Sequence, residues 1–548
     1  MKSMDRKLAR VLVLCLVLAL AALTPAFAEN LKSNAKAKNV ILLIADGCGF
    51  NCFQATDYYQ YGAAGTQVYE KFPFKVAAST YEFEYLDYTP ATSPIWGPWF
   101  AESGKYVLKG YSTDQFWSDM NYPIWIDTSL GNPLTGWYVN NNTDSASAAT
   151  AMSTGFKTKD GAIGYAFPLD ENGNLIVDAE GKSYTEPKQN IVQYAKSLGK
   201  SAGVVSSVYF THATPAGFVA HNASRSNYAA MGNEMIFNSG IDVIMATGAP
   251  DYNDSGLPCV LDSATGQCAK KWSSSGYWYF YDAAGNRMNT DYVGGFDTWQ
   301  QIREGVDSGG NPFPFSVIRD KSEFQEMAEG DTPARVLGLP KVFQTLQYYR
   351  AGDKTKDPYV VPFTPNIPTL EEMSKAALNV LDNNSKGFFL MIEGGAADWA
   401  NHSYQGGRMI EEHVEFNRTV EAVVDWVQKN SNWGETMVIV TADHETGFIW
   451  GPGSCTAPTT AGGSWVYNAY LPLINNGAGV MPGMQYCSPI GWHTNSLVPL
   501  FAKGDAARLF NGYADNLDLG YGPYVDNTDI FRVVKYAFEN DAAKKDKK

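Results

Sequence analysis

Six largely apolar runs, each seven or eight residues long, govern what this chain can fold into. They are NVILLIA (39–45), SAGVVSSV (201–208), DVIMATG (242–248), GFFLMIE (387–393), TMVIVTA (436–442) and LVPLFAK (497–503). None shows the strict polar–apolar alternation of a half-exposed strand, so each reads as a strand covered on both faces of a mainly parallel sheet. Amphipathic helices fall between them. QNIVQYAKSLGK precedes the second run, and TLEEMSKAALNVL, opened by a Thr369/Glu372 capping box, precedes the fourth. A long helix is predicted over about 408–430. The alternation predicts an α/β fold, a three-layer sandwich around a large, mostly parallel sheet.

Polar and titratable residues follow or close most of these runs. Asp46 follows the first, FTHATPAGFVAHNASR the second, and Glu393 closes the fourth with GGAADWANH after it. Asp443 and His444 follow the fifth, and His493 lies just before the last. Sites in open α/β sheets form beyond the carboxyl ends of the strands, so residues from 46 to 493 should meet at one edge. NTDSASAATAMSTG (142–155) adds a helix start made almost entirely of small residues. Such a start packs close to a sheet and leaves its N–H groups open to an anion. Ser145 there is either an ordinary cap or a nucleophile held where phosphate will sit.

The first residues are basic (Lys2, Arg6, Lys7, Arg10), then apolar (VLVLCLVLALAAL), then Ala26-Phe27-Ala28. This is read as a secretory signal peptide cleaved after Ala28, too short for a comfortable membrane span. Residues 29–548 would then form a periplasmic or extracellular protein with no membrane span. Loss of the leader's four bases and one acid moves the formal charge from −15 to −18, which argues against a nucleic-acid-binding surface. Of seven cysteines, six remain. Cys259 with Cys268 and Cys455 with Cys487 are expected disulfides in an oxidising compartment, with the full connectivity open. For Cys48 and Cys52, a structural or unpaired role is favoured over zinc binding.

Three histidines of the chain's six sit in segments that could chelate a metal. In EGGAADWANH, Asp398 and His402 are four apart and share a helix face, with Glu393 five residues earlier. ADHETG supplies Asp443 and His444, and GWHTNS supplies His493. One such pair alone would read as a satisfied structural histidine; the set together reads as a metal centre.

The order and spacing of ADG at Asp46, TDSASAATA at Ser145, ATPAGFVAHNASR ending at Arg225, EGGAADWANH, TADHETG and GWHTNS resemble the alkaline phosphatase family. The resemblance implies two zinc ions and one magnesium ion per chain. It assigns Asp398, His402 and His493 to one zinc, and Asp46, Asp443, His444 and the Ser145 hydroxyl to the other. Asp46, Thr214 and Glu393 would hold magnesium. It further implies that Ser145 is the nucleophile, that Arg225 binds phosphate and that Asp144 orients Arg225. His212 and Trp399 stand near the phosphate, where the best-known bacterial enzyme has aspartate and lysine. Two zinc ions ~4 Å apart stabilise the attacking and leaving oxygens of an in-line displacement. The implied reaction is hydrolysis of small phosphate monoesters through a phosphoserine, with an alkaline optimum; the family's frequent dimers leave a homodimer open.

The rivals are a phosphodiesterase or sulfatase of the same superfamily and a non-catalytic phosphate-binding scaffold. A sulfatase should carry C/S-x-P-x-R at the nucleophile, which Ser145-Ala146-Ser147 does not match. A scaffold would normally have lost ligands, and none is missing. His221 and His413 match no ligand position and are read as structural or surface residues. Two insertions are expected, at about 80–138, which holds five of the 14 tryptophans, and at about 250–315. DENGN and DAAGN are hairpin signals; DENGNLIVDAEG resembles a calcium loop but has Leu175 where glycine is needed.

Overall fold

The computed structural model describes residues 35–86, 105–108, 142–168, 176, 185–276, 278–457, 466–488, 491–518 and 520–545. The signal-peptide reading, most of the Trp-rich segment 80–138 and the DENGN turn lie outside them.

Eleven strands build the central sheet. Along the chain they are β1 (Asn39–Ala45), β2 (Phe74–Ser79), β3 (Ser201–Tyr209), β4 (Val243–Thr247), β5 (Ser316–Ile318), β6 (Val336–Gly338), β7 (Phe388–Gly394), β8 (Thr436–Thr441), β9 (Val498–Lys503), β10 (Asn516–Asp518) and β11 (Gly522–Asp526). Their spatial order is β5-β6-β4-β3-β7-β1-β8-β9-β2-β11-β10. All six apolar runs became strands of this sheet. β1, β7 and β8 form its centre and are buried along their whole length, as continuous apolar runs require.

Seven of the ten strand pairings are parallel. The other three are antiparallel, and two of them belong to β9, which pairs with β8 and β2. This sense positions a ligand. In the parallel strands the carboxyl ends line the edge where Asp46, Glu393 and Asp443 lie, with Ile44 opposite both Glu393 and Thr441. Because β9 runs the other way, its beginning reaches that edge. His493, five residues before β9, therefore joins residues that follow the other strands.

The helices that matter for the site are α1 (Phe50–Tyr61), α2 (Ser145–Thr154), α3 (Ile191–Ser197), α4 (Ala213–Val219), α5 (Leu370–Asp382), α6 (Ala396–His402), α7 (Gly406–Asn430) and α8 (Asp529–Lys545). The expected Thr369/Glu372 capping box opens α5, and α3 has one of its own from Asn190 and Gln193. All ten residues of α2 are buried. Its alanines let α4 approach so closely that a Cβ on Gly217 would lie 2.6 Å from the Cβ of Ala149. Within 250–315, Trp278–Tyr281 and Arg287–Asn289 form the hairpin foreseen from DAAGN, joined by Lys270–Trp272 into a three-stranded sheet. Three disulfides are formed: Cys259–Cys268, Cys455–Cys487 and Cys48–Cys52.

Candidate active site

The turn after β1 sets the first ligands. Gly47 has φ +70° and packs so tightly that a Cβ there would lie 2.7 Å from the Cα of Asp398, so only glycine fits. Its N–H donates to Asp443 Oδ1 at 3.1 Å, and its carbonyl accepts from Asn401 Nδ2 at 3.2 Å. One glycine thus ties β1, β8 and α6 together beneath the site.

Three imidazoles converge here. His402 Nδ1 donates to the carbonyl of Gly491 at 2.6 Å, and His493 Nδ1 to that of Thr143 at 2.8 Å. The Thr446 hydroxyl donates to Asp398 Oδ1 at 2.5 Å, which leaves its oxygen to accept from His444 Nδ1 at 3.2 Å. Each bond places the proton on Nδ1, so every Nε2 turns a lone pair inward. His402 Nε2 and His493 Nε2 are 3.1 Å apart, a separation that a shared proton or a bound cation bridges. Asp398 Oδ2 is 3.1 Å from His402 Nε2, and its Oδ1 is 3.5 Å from His493 Nε2. His444 Nε2 lies 3.2 Å from Ser145 Oγ, 3.2 Å from Asp443 Oδ2 and 3.5 Å from Asp46 Oδ1.

The carboxylates are buried against one another. Both oxygens of Asp46, Oδ2 of Asp443, Oε1 of Glu393 and Oγ1 of Thr214 have no hydrogen-bond partner. Burial, then the neighbouring Asp443, Asp398 and Glu393, push Asp46 well above the usual carboxylate range. Burial and Asp398 raise Asp443 to about 7, and burial raises Glu393 to about 7. Burial also acts on Asp398, but His402 and His493 outweigh it and hold that carboxyl well below its ordinary value. Asp398 in turn raises His402 to about 8. So many buried acids, left partnerless at one point, offer a donor set that fits cations.

On the rim, Asp144 caps α2 by accepting from the Ser147 N–H at 2.8 Å and binds Arg225 Nη1 through Oδ2 at 2.9 Å. Burial works against the charge on Arg225, and Asp144 outweighs it, so the guanidinium stays protonated. His212 Nε2 is 3.2 Å from Arg225 Nη2; burial and Arg225 push His212 down to about 3, leaving it neutral. A donor atom of His212 also lies within 4.8 Å of donors on Asp46 and Glu393. The Trp399 ring is 5.5 Å from the His212 ring.

A family model described as alkaline phosphatase matches residues 135–470, more than half of the chain. The chain belongs to the alkaline phosphatase family. It is therefore an enzyme, and the reaction of its family is hydrolysis of phosphate monoesters. It is 27% identical over 525 residues to the alkaline phosphatase of Escherichia coli, spanning 91% of this chain and 87% of that one. It is also 27% identical over 507 residues to alkaline phosphatase H of Pseudomonas aeruginosa, spanning 91% and 86%. Among solved structures, the cold-active alkaline phosphatase of a psychrophilic Shewanella shares the fold, with a TM-score of 0.51, 21% identity and coverage of 91% and 99%. A His-to-Asp variant of the enzyme from the Antarctic bacterium TAB5, with magnesium bound in its M3 site, has a TM-score of 0.50, 19% identity and coverage of 92% and 99%. No helix among the described residues of this alkaline phosphatase is long and apolar enough to cross a membrane.

The fold brings all thirteen residues singled out from the sequence to this edge. Sequence reasoning missed the residues that orient them. Thr446 links Asp398 to His444, and Ser206 donates to Glu393. Thr446 stands two positions after His444, and Ser206 opens a polar Ser-Ser pair inside β3; hydroxyls so placed were the available signal. His221 is a tether: its Nδ1 meets Glu234 at 2.8 Å and its Nε2 the carbonyl of Lys188 at 2.9 Å. His413 is fully buried away from the surface.

Proposed function

We propose that this chain hydrolyses phosphate monoesters through a phosphoserine at Ser145, using two zinc ions and one magnesium ion, with an alkaline optimum. The carrying observation is the convergence of three inward-facing Nε2 atoms upon partnerless buried oxygens, a donor set that fits cations. Asp398, His402 and His493 would hold one zinc. Asp46, Asp443, His444 and the Ser145 hydroxyl would hold the second, and Asp46, Thr214 and Glu393 the magnesium. Such ions, when bound, lower the pKa of hydroxyl groups and neutralise charge on the attacking and leaving oxygens.

The chain's own residues do the rest. Ser145 Oγ bonds to phosphorus as the ester oxygen departs with the alcohol. Water then attacks the phosphoserine, and Ser145 Oγ leaves with release of inorganic phosphate. Arg225, fixed by Asp144, offers two charge-assisted hydrogen bonds to the equatorial oxygens, a geometry lysine lacks. Neutral His212 stands between Arg225 and the magnesium ligands, and Trp399 walls that side. A donor atom of His212 within 4.8 Å of donors on Asp46 and Glu393 supports reading His212 as a residue that tunes the third metal. A proton held by His402 up to about pH 8 competes with a cation, which supports the alkaline optimum. Three disulfides support a periplasmic or extracellular location.

The test is to trap the enzyme with labelled phosphate at acidic pH and map the labelled peptide. The label should lie on Ser145, disappear in Ser145→Ala, and require zinc and magnesium after chelation. Label on any other residue would overturn the assignment.

A further inference from the structure

Outside the phosphatase centre, a second cluster of donors is buried between α1 and α7. Cys48 lies in the turn after β1, and Cys52 lies four residues on, in the first turn of α1. Met409 and His413 are four residues apart on α7 and share a face. All four are at most 2% exposed. The two sulfurs and a ring nitrogen of His413 lie within 4.8 Å of one another. Cys52 Sγ is 3.4 Å from Met409 Sδ. Neither nitrogen of His413 has a hydrogen-bond partner, although buried polar groups rarely go without one. Its ring is packed instead against Phe53, at 4.5 Å, and Phe416, at 5.6 Å. Burial pushes His413 down to about 3, so it keeps a free lone pair.

We infer that Cys48, Cys52, Met409 and His413 form a second metal site that takes monovalent copper when the two cysteines are reduced. Thiolate with thioether selects Cu(I) over the harder cations that suit the carboxylates of the phosphatase centre. Tetrahedral metal–sulfur bonds of about 2.3 Å set donors about 3.8 Å apart; Cys52 Sγ and Met409 Sδ stand at 3.4 Å, while the two cysteine sulfurs are bonded to each other and must part on reduction. On binding, one thiol gives its proton to water, and the resulting thiolate, the thioether and the imidazole bind the ion. The second thiol stays protonated beside it, so thiolate and monovalent ion cancel and the site stays uncharged, as an apolar pocket demands. In the oxidised chain the two sulfurs bond to each other, with their Cα atoms 5.2 Å apart. Disulfide and metal are thus alternative occupants of one position. A dithiol reductant opens the disulfide, supplying two electrons and two protons and leaving as its own disulfide, and Cu(I) then binds at the freed cysteines.

The experiment uses the full chain with its active-site metals in place. It is reduced anaerobically with a phosphine and titrated with Cu(I) against bicinchoninate. Reduced protein should retain one copper per chain more than oxidised protein, with sulfur neighbours in X-ray absorption; the phosphatase ligands contain no sulfur. The Cys48→Ser/Cys52→Ser variant, which keeps the other cysteines as a control, should lose that copper. Met409→Leu conserves volume and should weaken retention at least 10-fold without lowering Tm. Equal copper in the reduced and oxidised proteins, or undiminished sulfur-bound copper in the double-serine variant, would overturn the site. Displacement of the copper by an equal concentration of zinc would overturn its assignment to Cu(I).

Discussion

Gly47 and Thr446 touch no phosphate, yet each decides whether the ligands meet. At Gly47 the backbone has φ +70°, and any Cβ would press on the backbone of Asp398. Gly47→Ala should cost about 1–3 kcal/mol from the backbone conformation alone. It should also lower zinc content by elemental analysis, because relieving the overlap moves Asp398 from His402 and His493. Thr446→Val keeps the shape and removes the hydroxyl that orients Asp398 and His444. Loss of such a supporting bond typically weakens metal affinity about 10–100-fold. A chelator competition should show that loss with Tm of the zinc-loaded protein little changed. Unaltered zinc affinity would mean that the hydroxyl does not orient the ligands.

At the scale of elements, Ser145 is placed by the packing of α2 on α4. A methyl on Gly217 would meet the Ala149 Cβ at 2.6 Å, so Gly217→Ala should cost about 1–3 kcal/mol by overpacking. It should also reduce kcat by shifting the start of α2. Adding Ala149→Gly restores the space and should recover both; thermal melts and steady-state rates of the three proteins check this. The strands were legible in sequence because a doubly buried strand must be apolar throughout. Asp46, Glu393 and Asp443 were legible because they interrupt or end such runs. The sense of β9 was not, since an apolar run carries no direction, and only that sense explains why His493 precedes its strand. Thr446 and Ser206 were overlooked because hydroxyls are common and their partners lie far away in sequence. The pairing of Cys48 and Cys52 with His413 was hidden for the same reason, being made between elements more than 350 residues apart.

Across the whole molecule, the cost of the site falls on its acids. Asp443 and Glu393 are raised to about 7 from ordinary values of 3.8 and 4.5, and Glu445 likewise to about 7 by burial. Between about pH 4 and 7 these acids keep, in the folded metal-free protein, protons that the unfolded chain has released, so their contribution to stability falls as pH rises through that window; His212 and His413, held neutral down to about pH 3, act the other way below about pH 6.5 but are outnumbered. His402, raised to about 8 by Asp398, acts in the same direction as the acids, its contribution being lost as pH passes about 8. Chelated protein should therefore melt several degrees lower at pH 8 than at pH 5, and zinc with magnesium should reverse the loss. The proposal that the inward imidazoles and partnerless carboxylates are cation ligands carries the rest of the mechanism. Anomalous diffraction at the zinc edge from crystals of active enzyme tests it most directly. Two zinc peaks are predicted, one bonded to Asp398, His402 and His493, the other to Asp46, Asp443 and His444 beside Ser145. Active crystals with no zinc at these residues, or with zinc bound elsewhere, would contradict it.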